Sequence, residues 1–203
     1  LNKAYVKVED TKDVASSELR TYLQQKPNTE ILGFWKLQLG IYNTASLDTT
    51  KWTSRNARKI GEAPVIFSPN LTNLSSQQLK LAMKNRGYFN AEVDTTMEIK
   101  KRKVNLTYHI TAEEPYTIRH YYVDFEHAEL RQIAQNMRYA FLQEGMQFNA
   151  DVLNQERQRV ASEMRRHGCY YFDQDYIKFV ADSTVGNHQV DVTIGLQDYV
   201  KNL

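Results

Sequence analysis

The feature that most constrains this chain is an internal duplication. The first copy reads as a helix over Ser75 to Asn85 and then the turn Arg86-Gly87-Tyr88-Phe89. A polar strand near Ala91 to Ile99 and a cleaner strand from Val104 to Ile110 follow. The second copy reads as a helix over about Asp151 to Arg166 and then His167-Gly168-Cys169-Tyr170-Tyr171-Phe172. A strand through Tyr176 to Val180 and a cleaner one from Val190 to Leu196 follow. Two copies of helix, glycine, aromatics, strand, turn, strand within 203 residues predict two small modules, not one large core.

Periodicity supplies the rest of each module. Val104, Leu106, Tyr108 and Ile110 alternate with Asn105, Thr107 and His109, and Val190, Val192, Ile194 and Leu196 alternate likewise. Period two with one dry face predicts a sheet covered by helices on one side only. Ser75, with Gln78 three residues on, has the spacing of a capping box. Leu130, Ile133, Met137 and Phe141 mark an amphipathic helix closed by Gly145. Tyr121, Val123 and Phe125 mark the strand before it, and Tyr5 or Val6 with Val8 the matching strand of the first copy. Residues Ser17 to Leu23 supply the first copy's first helix.

The expected fold is therefore α+β. It is a tandem of two-layer β-α-α-β-β modules, each a three-stranded mixed sheet covered by two helices on one face. The modules are 1–113, with an insertion at about 31–66, and 114–203.

The chemistry of an enzyme is missing from the pattern. There is no glycine-rich phosphate loop, no cysteine pair and no His-Glu-x-x-His, so neither a metal nor a cofactor is expected. The five histidines read as structural or surface groups, and Asp173, Asp175 and Asp182 as turn residues. Cys169, the single cysteine, reads as a buried thiol where a strand starts. A net charge of +2 gives no reason for a nucleic-acid partner, and Lys100-Lys101-Arg102-Lys103 reads as a solvated turn. No small-molecule substrate is expected.

What remains is polypeptide binding. A small open sheet leaves main-chain amides and carbonyls at its rim, and an extended peptide can add to them. The candidate edges are Ala91, Val93, Thr95, Met97 and Ile99 in the first module and Tyr176, Lys178 and Val180 in the second. The apolar stretch Ile31 to Tyr42 has two readings. It patches the larger first core, or Phe34, Trp35 and Leu39 form a docking surface.

Several segments carry a family likeness. They are Lys26-Pro27-Asn28, Ile31-Leu32-Gly33-Phe34, Arg58-Lys59-Ile60-Gly61-Glu62-Ala63-Pro64-Val65-Ile66, Asn85-Arg86-Gly87-Tyr88-Phe89-Asn90-Ala91, Pro115-Tyr116-Thr117-Ile118 and Phe148-Asn149-Ala150-Asp151. With them the chain resembles the polypeptide-transport-associated (POTRA) domains of BamA/TamA-like outer-membrane assembly proteins, in particular the TamL-like proteins of Bacteroidetes. The Gly-Glu-Ala-Pro segment is the most specific. The resemblance implies a non-enzymatic module on the periplasmic side of the outer membrane, followed in the full-length protein by a membrane β-barrel. Its implied partners are unfolded outer-membrane proteins or accessory assembly proteins. The alternative it leaves is a scaffold that recruits accessory proteins and positions the barrel.

Overall fold

The computed structural model describes residues 1–28, 65–137 and 140–197. The chain builds two tandem β-α-α-β-β modules. The first contains β1 (Lys3–Glu9), α1 (Ser16–Leu19) with a 3₁₀ turn over Arg20–Tyr22, α2 (Pro69–Lys84), β2 (Glu92–Lys100) and β3 (Lys103–Thr111). The second contains β4 (Thr117–Asp124), α3 (Ala128–Asn136), α4 (Ala150–Arg166), a 3₁₀ turn over Gln174–Tyr176, β5 (Ile177–Asp182) and β6 (Gln189–Leu196). Most of the expected insertion lies outside the described residues, as do Phe34, Trp35 and Leu39.

Each sheet has the same plan. The last strand is central, the first strand of the module runs parallel to it on one side, and the second strand runs antiparallel to it on the other. The orders are β1-β3-β2 and β4-β6-β5. The parallel pair needs a helical crossover, and the antiparallel pair needs only a hairpin. Lys101 and Arg102 make that hairpin in the first sheet with φ of 50° and 62°, between the paired Lys100 and Lys103.

By contacts the chain divides into two compact units, 1–82 with 92–111, and 83–91 with 112–203. In the first, Val6, Leu19, Leu79, Leu106, Tyr108 and Ile110 are buried. The buried amides of Gln25 and Asn28 are satisfied by main chain. Gln25 donates to the carbonyl of Ile66 and accepts from Ser68 N–H, and Asn28 Oδ1 accepts from Val65 N–H. In the second unit, Phe125, Val160, Met164, Ile177, Ile194 and Leu196 form one cluster, and Ile118, Leu142, Phe148, Val190 and Val192 another.

Three local expectations change. Ser75 does not start α2, which begins at Pro69, the position where a missing N–H costs least. Ser75 is fully buried inside the helix. Its hydroxyl donates to Leu71 O at 2.8 Å and accepts from Gln24 N–H at 3.0 Å, fastening α2 to the segment after the first 3₁₀ turn. Helix α3 stops at Asn136, so Phe141 is not on it. The amide of Phe141 instead donates to the carboxylate of Glu156 at 2.9 Å. Cys169 does not open a strand: β5 begins at Ile177, and the half-buried thiol packs beside the Phe125–Met164 cluster.

Candidate functional site

The rim of the first sheet is the clearest candidate. On β2 the register places Val93 opposite Ile110, Thr95 opposite Tyr108, Met97 opposite Leu106 and Ile99 opposite Val104. Directly paired residues share a face. Val93, Thr95, Met97 and Ile99 therefore stand on the face that β3 buries under the helices. Yet Met97 is 49% exposed and Ile99 67% exposed, and of the nine residues of β2 only Val93 is even half-buried. Helical cover reaches only the start of β2. Among the described residues no strand pairs with the outer side of β2. At its start β2 faces α2 across a groove of about 320 Å³ lined by Ser76, Gln77, Lys80, Glu92, Val93 and Asp94. Ala91 sits just before the strand and is buried, so it anchors the edge and does not present it.

The second sheet's rim differs. β5 is shorter, at six residues. Phe179 pairs with Ile194 on the core face, and the guanidinium of Arg157 lies 5.8 Å from its ring centre. Lys178 and Val180 point to the opposite face, Val180 with 54% exposure. Tyr176 lies in the 3₁₀ turn ahead of the strand. This edge is open at Val180 to Asp182 and covered where it begins.

Sequence reasoning missed two features of the second unit. One is an apolar cavity of about 930 Å³ bounded by Leu130, Cys169, Phe172, Tyr176 and Leu196. Tyr170 and Tyr171 beside it are 78% and 93% exposed. The other is the fully buried carboxylate of Glu156. Arg159 grips it through Nη2 at 2.6 Å and Nε at 2.9 Å, and Tyr121 Oη donates to it at 3.4 Å. Burial and the neighbouring carboxylate push the Tyr121 phenol far above its ordinary range. The signal was present, because Leu153, Glu156, Val160 and Met164 lie on one helical face and a lone acid there demands a partner.

On the outer face of the second sheet, Arg119 sits at a β-bulge that turns its side chain onto Asp191, with Nε to Oδ1 at 2.8 Å and Nη2 to Oδ2 at 2.6 Å. The Arg119 hydrogen bond holds the Asp191 carboxyl below its ordinary range. Asp173 and Asp182 cap local turns through Asp175 N–H and Thr184 N–H. Among the described residues there is no group of three or more His, Cys, Asp or Glu that could hold a metal. No described helix is long and apolar enough to cross a membrane.

No curated protein matches the chain. Among solved structures it is similar to BamA from Haemophilus ducreyi lacking POTRA domains 1–3, at 19% identity over 68% of this chain and with a TM-score of 0.38. This chain covers 24% of that one. It is also similar to the POTRA3–5 segment of Haemophilus influenzae BamA, at 14% identity over 97% of this chain and 96% of that one, with a TM-score of 0.37. POTRA1–2 of the periplasmic domain of Omp85 from Anabaena is 10% identical over 97% of this chain and 94% of that one, with a TM-score of 0.37. The POTRA family model, described as a surface antigen variable number repeat, matches residues 4–113, a little over half of the chain. The chain belongs to the POTRA family.

Proposed function

We propose that the chain is a non-enzymatic polypeptide-docking unit of outer-membrane protein assembly, working on the periplasmic side of that membrane. Its repeats are best taken as 1–113 and 114–203, and the polypeptide is received chiefly at β2. The observation that carries this reading is the nine-residue outer strand that leaves Met97 and Ile99 exposed on the core side of the sheet. An added strand would satisfy the open main-chain groups and cover those two side chains at once. The wider family context suggests unfolded outer-membrane proteins as clients and a membrane barrel as the neighbour in the full-length protein.

Titration of the isotope-labelled chain with an unfolded outer-membrane-protein peptide tests it. Amide shifts should concentrate on Glu92 to Lys100. Shifts absent from that strand at millimolar peptide would exclude edge pairing. A second reading, a scaffold for a folded accessory protein, is favoured by the exposed Tyr170 and Tyr171 beside an apolar cavity. That reading expects capture of a folded partner and loss of the capture in Tyr170→Ala/Tyr171→Ala.

A further inference from the structure

The two faces of β2 differ in chemistry. The core-side face carries Val93, Thr95, Met97 and Ile99. The opposite face carries Glu92, Asp94, Thr96, Glu98 and Lys100, all exposed. Thr96 is engaged with His109 across the sheet, Oγ1 to Nε2 at 3.0 Å. The lysines of the same face that oppose this charge, Lys3 and Lys7, stand on β1, on the far side of β3. Two strand spacings put them roughly 10 Å away, about one Debye length at physiological salt. Three carboxylates thus line the wet side of the open edge from its start to Glu98. Among the described residues the nearer basic groups are His109, paired opposite Asp94 and engaged with Thr96 and Glu9, Lys80 of α2 across the groove, and Lys100 to Lys103 at the hairpin end.

An added strand inherits this polarity. Its alternate side chains fall beside Val93, Thr95, Met97 and Ile99, and the intervening ones fall beside Glu92, Asp94 and Glu98. We propose that the β2 edge selects extended segments in which apolar residues alternate with lysine or arginine, the apolar set covering the Met97–Ile99 shelf and the basic set facing the Glu92–Asp94–Glu98 stripe. This rests on the edge-pairing reading and adds to it a client class. A segment with apolar residues on both faces brings no added counter-charge to the carboxylates. A segment alternating with acids brings like charges opposite one another, which is unfavourable between adjacent strands. A segment of the same composition with the alternation broken cannot place both sets.

The test uses the whole chain and three nine-residue peptides. One alternates Val or Leu with Lys, one alternates them with Glu, and one contains the first peptide's residues in blocks. Binding is read from the amide shifts of Glu92 to Lys100. The Lys-alternating peptide should bind about tenfold tighter than the Glu-alternating one at low salt, as expected for a few exposed ion pairs. The preference should shrink to about twofold near 0.5 M salt. In Glu92→Gln/Asp94→Asn/Glu98→Gln the preference should vanish, with the strand's shifts on peptide addition retained. Equal binding of the Lys and Glu peptides overturns the client class and leaves edge pairing standing. Equal binding of the blocked peptide overturns the two-faced recognition. Shifts absent from β2 with every peptide overturn edge pairing and this inference together.

Discussion

The amide of Tyr116 donates to the carbonyl of Gly87 at 2.8 Å. Around that bond the second unit closes. Tyr116 O accepts from Phe148 N–H at 2.9 Å, Arg86 O accepts from Gln147 Nε2 at 2.7 Å, and Asn85 O accepts from Ala150 N–H at 2.7 Å. The ring of Phe89 packs on Tyr116 at 4.9 Å and on Phe148 at 5.0 Å. The turn that ends α2 is thus built into the second unit by main-chain bonds, one side-chain amide and the packing of Phe89.

Gly87 is the residue that permits the approach. Its φ is +91°, and a Cβ there would meet the carbonyl oxygen of Phe148 at 2.7 Å and that of Tyr116 at 3.2 Å. Gly168 occupies the same place in the repeat with φ of +100°, but a Cβ there would meet nothing within 4 Å. Gly168→Ala should cost only the left-handed backbone term, about 1–2 kcal/mol. Gly87→Ala should cost clearly more and should shift the amide resonances of Tyr116 and Phe148. Urea unfolding of both variants, followed by NMR, makes the comparison.

That pair shows what the sequence could and could not convey. Both glycines were legible as helix stops, because a helical run followed by Gly and aromatics has a local cause. What surrounds each glycine is set by residues far along the chain and leaves no local mark. The same limit applies to Ser75. Its capping-box spacing is real, but Gln24 arrives from 51 residues away to use the hydroxyl from inside a helix that Ser68-Pro69 begins. The β2 edge was readable for the opposite reason. Its many charges are a local feature, and charged residues are what an edge strand carries. The acidic stripe was in plain sight as Glu92, Asp94 and Glu98, which period two puts on one side, but only the register shows that this side faces away from the core.

Glu156 tests the buried polar cluster. Glu156→Ala takes from the Arg159 guanidinium, which is only 16% exposed, the carboxylate it grips at two points, and releases the amide of Phe141. The expected loss is about 3–5 kcal/mol in urea unfolding. Glu156→Gln keeps an acceptor for Phe141 and the shape of the site but removes the carboxylate charge that Arg159 grips, so a smaller loss, about 1–3 kcal/mol, is expected. If the alanine variant were as stable as the parent, the cluster would not be holding the α3–α4 connection.

Tyr121 gives the pH dependence a direction. Burial raises its folded-state pKa above the unfolded value of about 10, and Glu156 adds to the rise. The proton is therefore held more tightly in the folded chain. The associated stability is complete below about pH 10 and is lost as pH rises from there toward the folded-state pKa, at up to about 1.4 kcal/mol per pH unit. Tyr121→Phe should remove that part of the alkaline slope, which urea unfolding at pH 9, 10 and 11 will show against the parent. Spectrophotometric titration of the parent against Tyr121→Phe should show the variant lacking a phenol that ionises above the ordinary tyrosine range.

Met97 and Leu106 lie opposite each other on one face of the first sheet, yet Leu106 is 2% exposed and Met97 49% exposed. The difference separates folding from binding. Leu106→Ala removes packing from the centre of a small core and should cost about 2–5 kcal/mol, enough to threaten the module. Met97→Asp removes little that is buried, so it should leave the melting temperature within a few degrees of the parent. It places a charge where an added strand would set an apolar side chain, and an unpaired charge desolvated there is costly. Peptide affinity at β2 should therefore fall at least tenfold while the fold persists. A Met97→Asp chain that binds the alternating Lys peptide as the parent does would show that the core-side shelf is not where the peptide's apolar side chains rest.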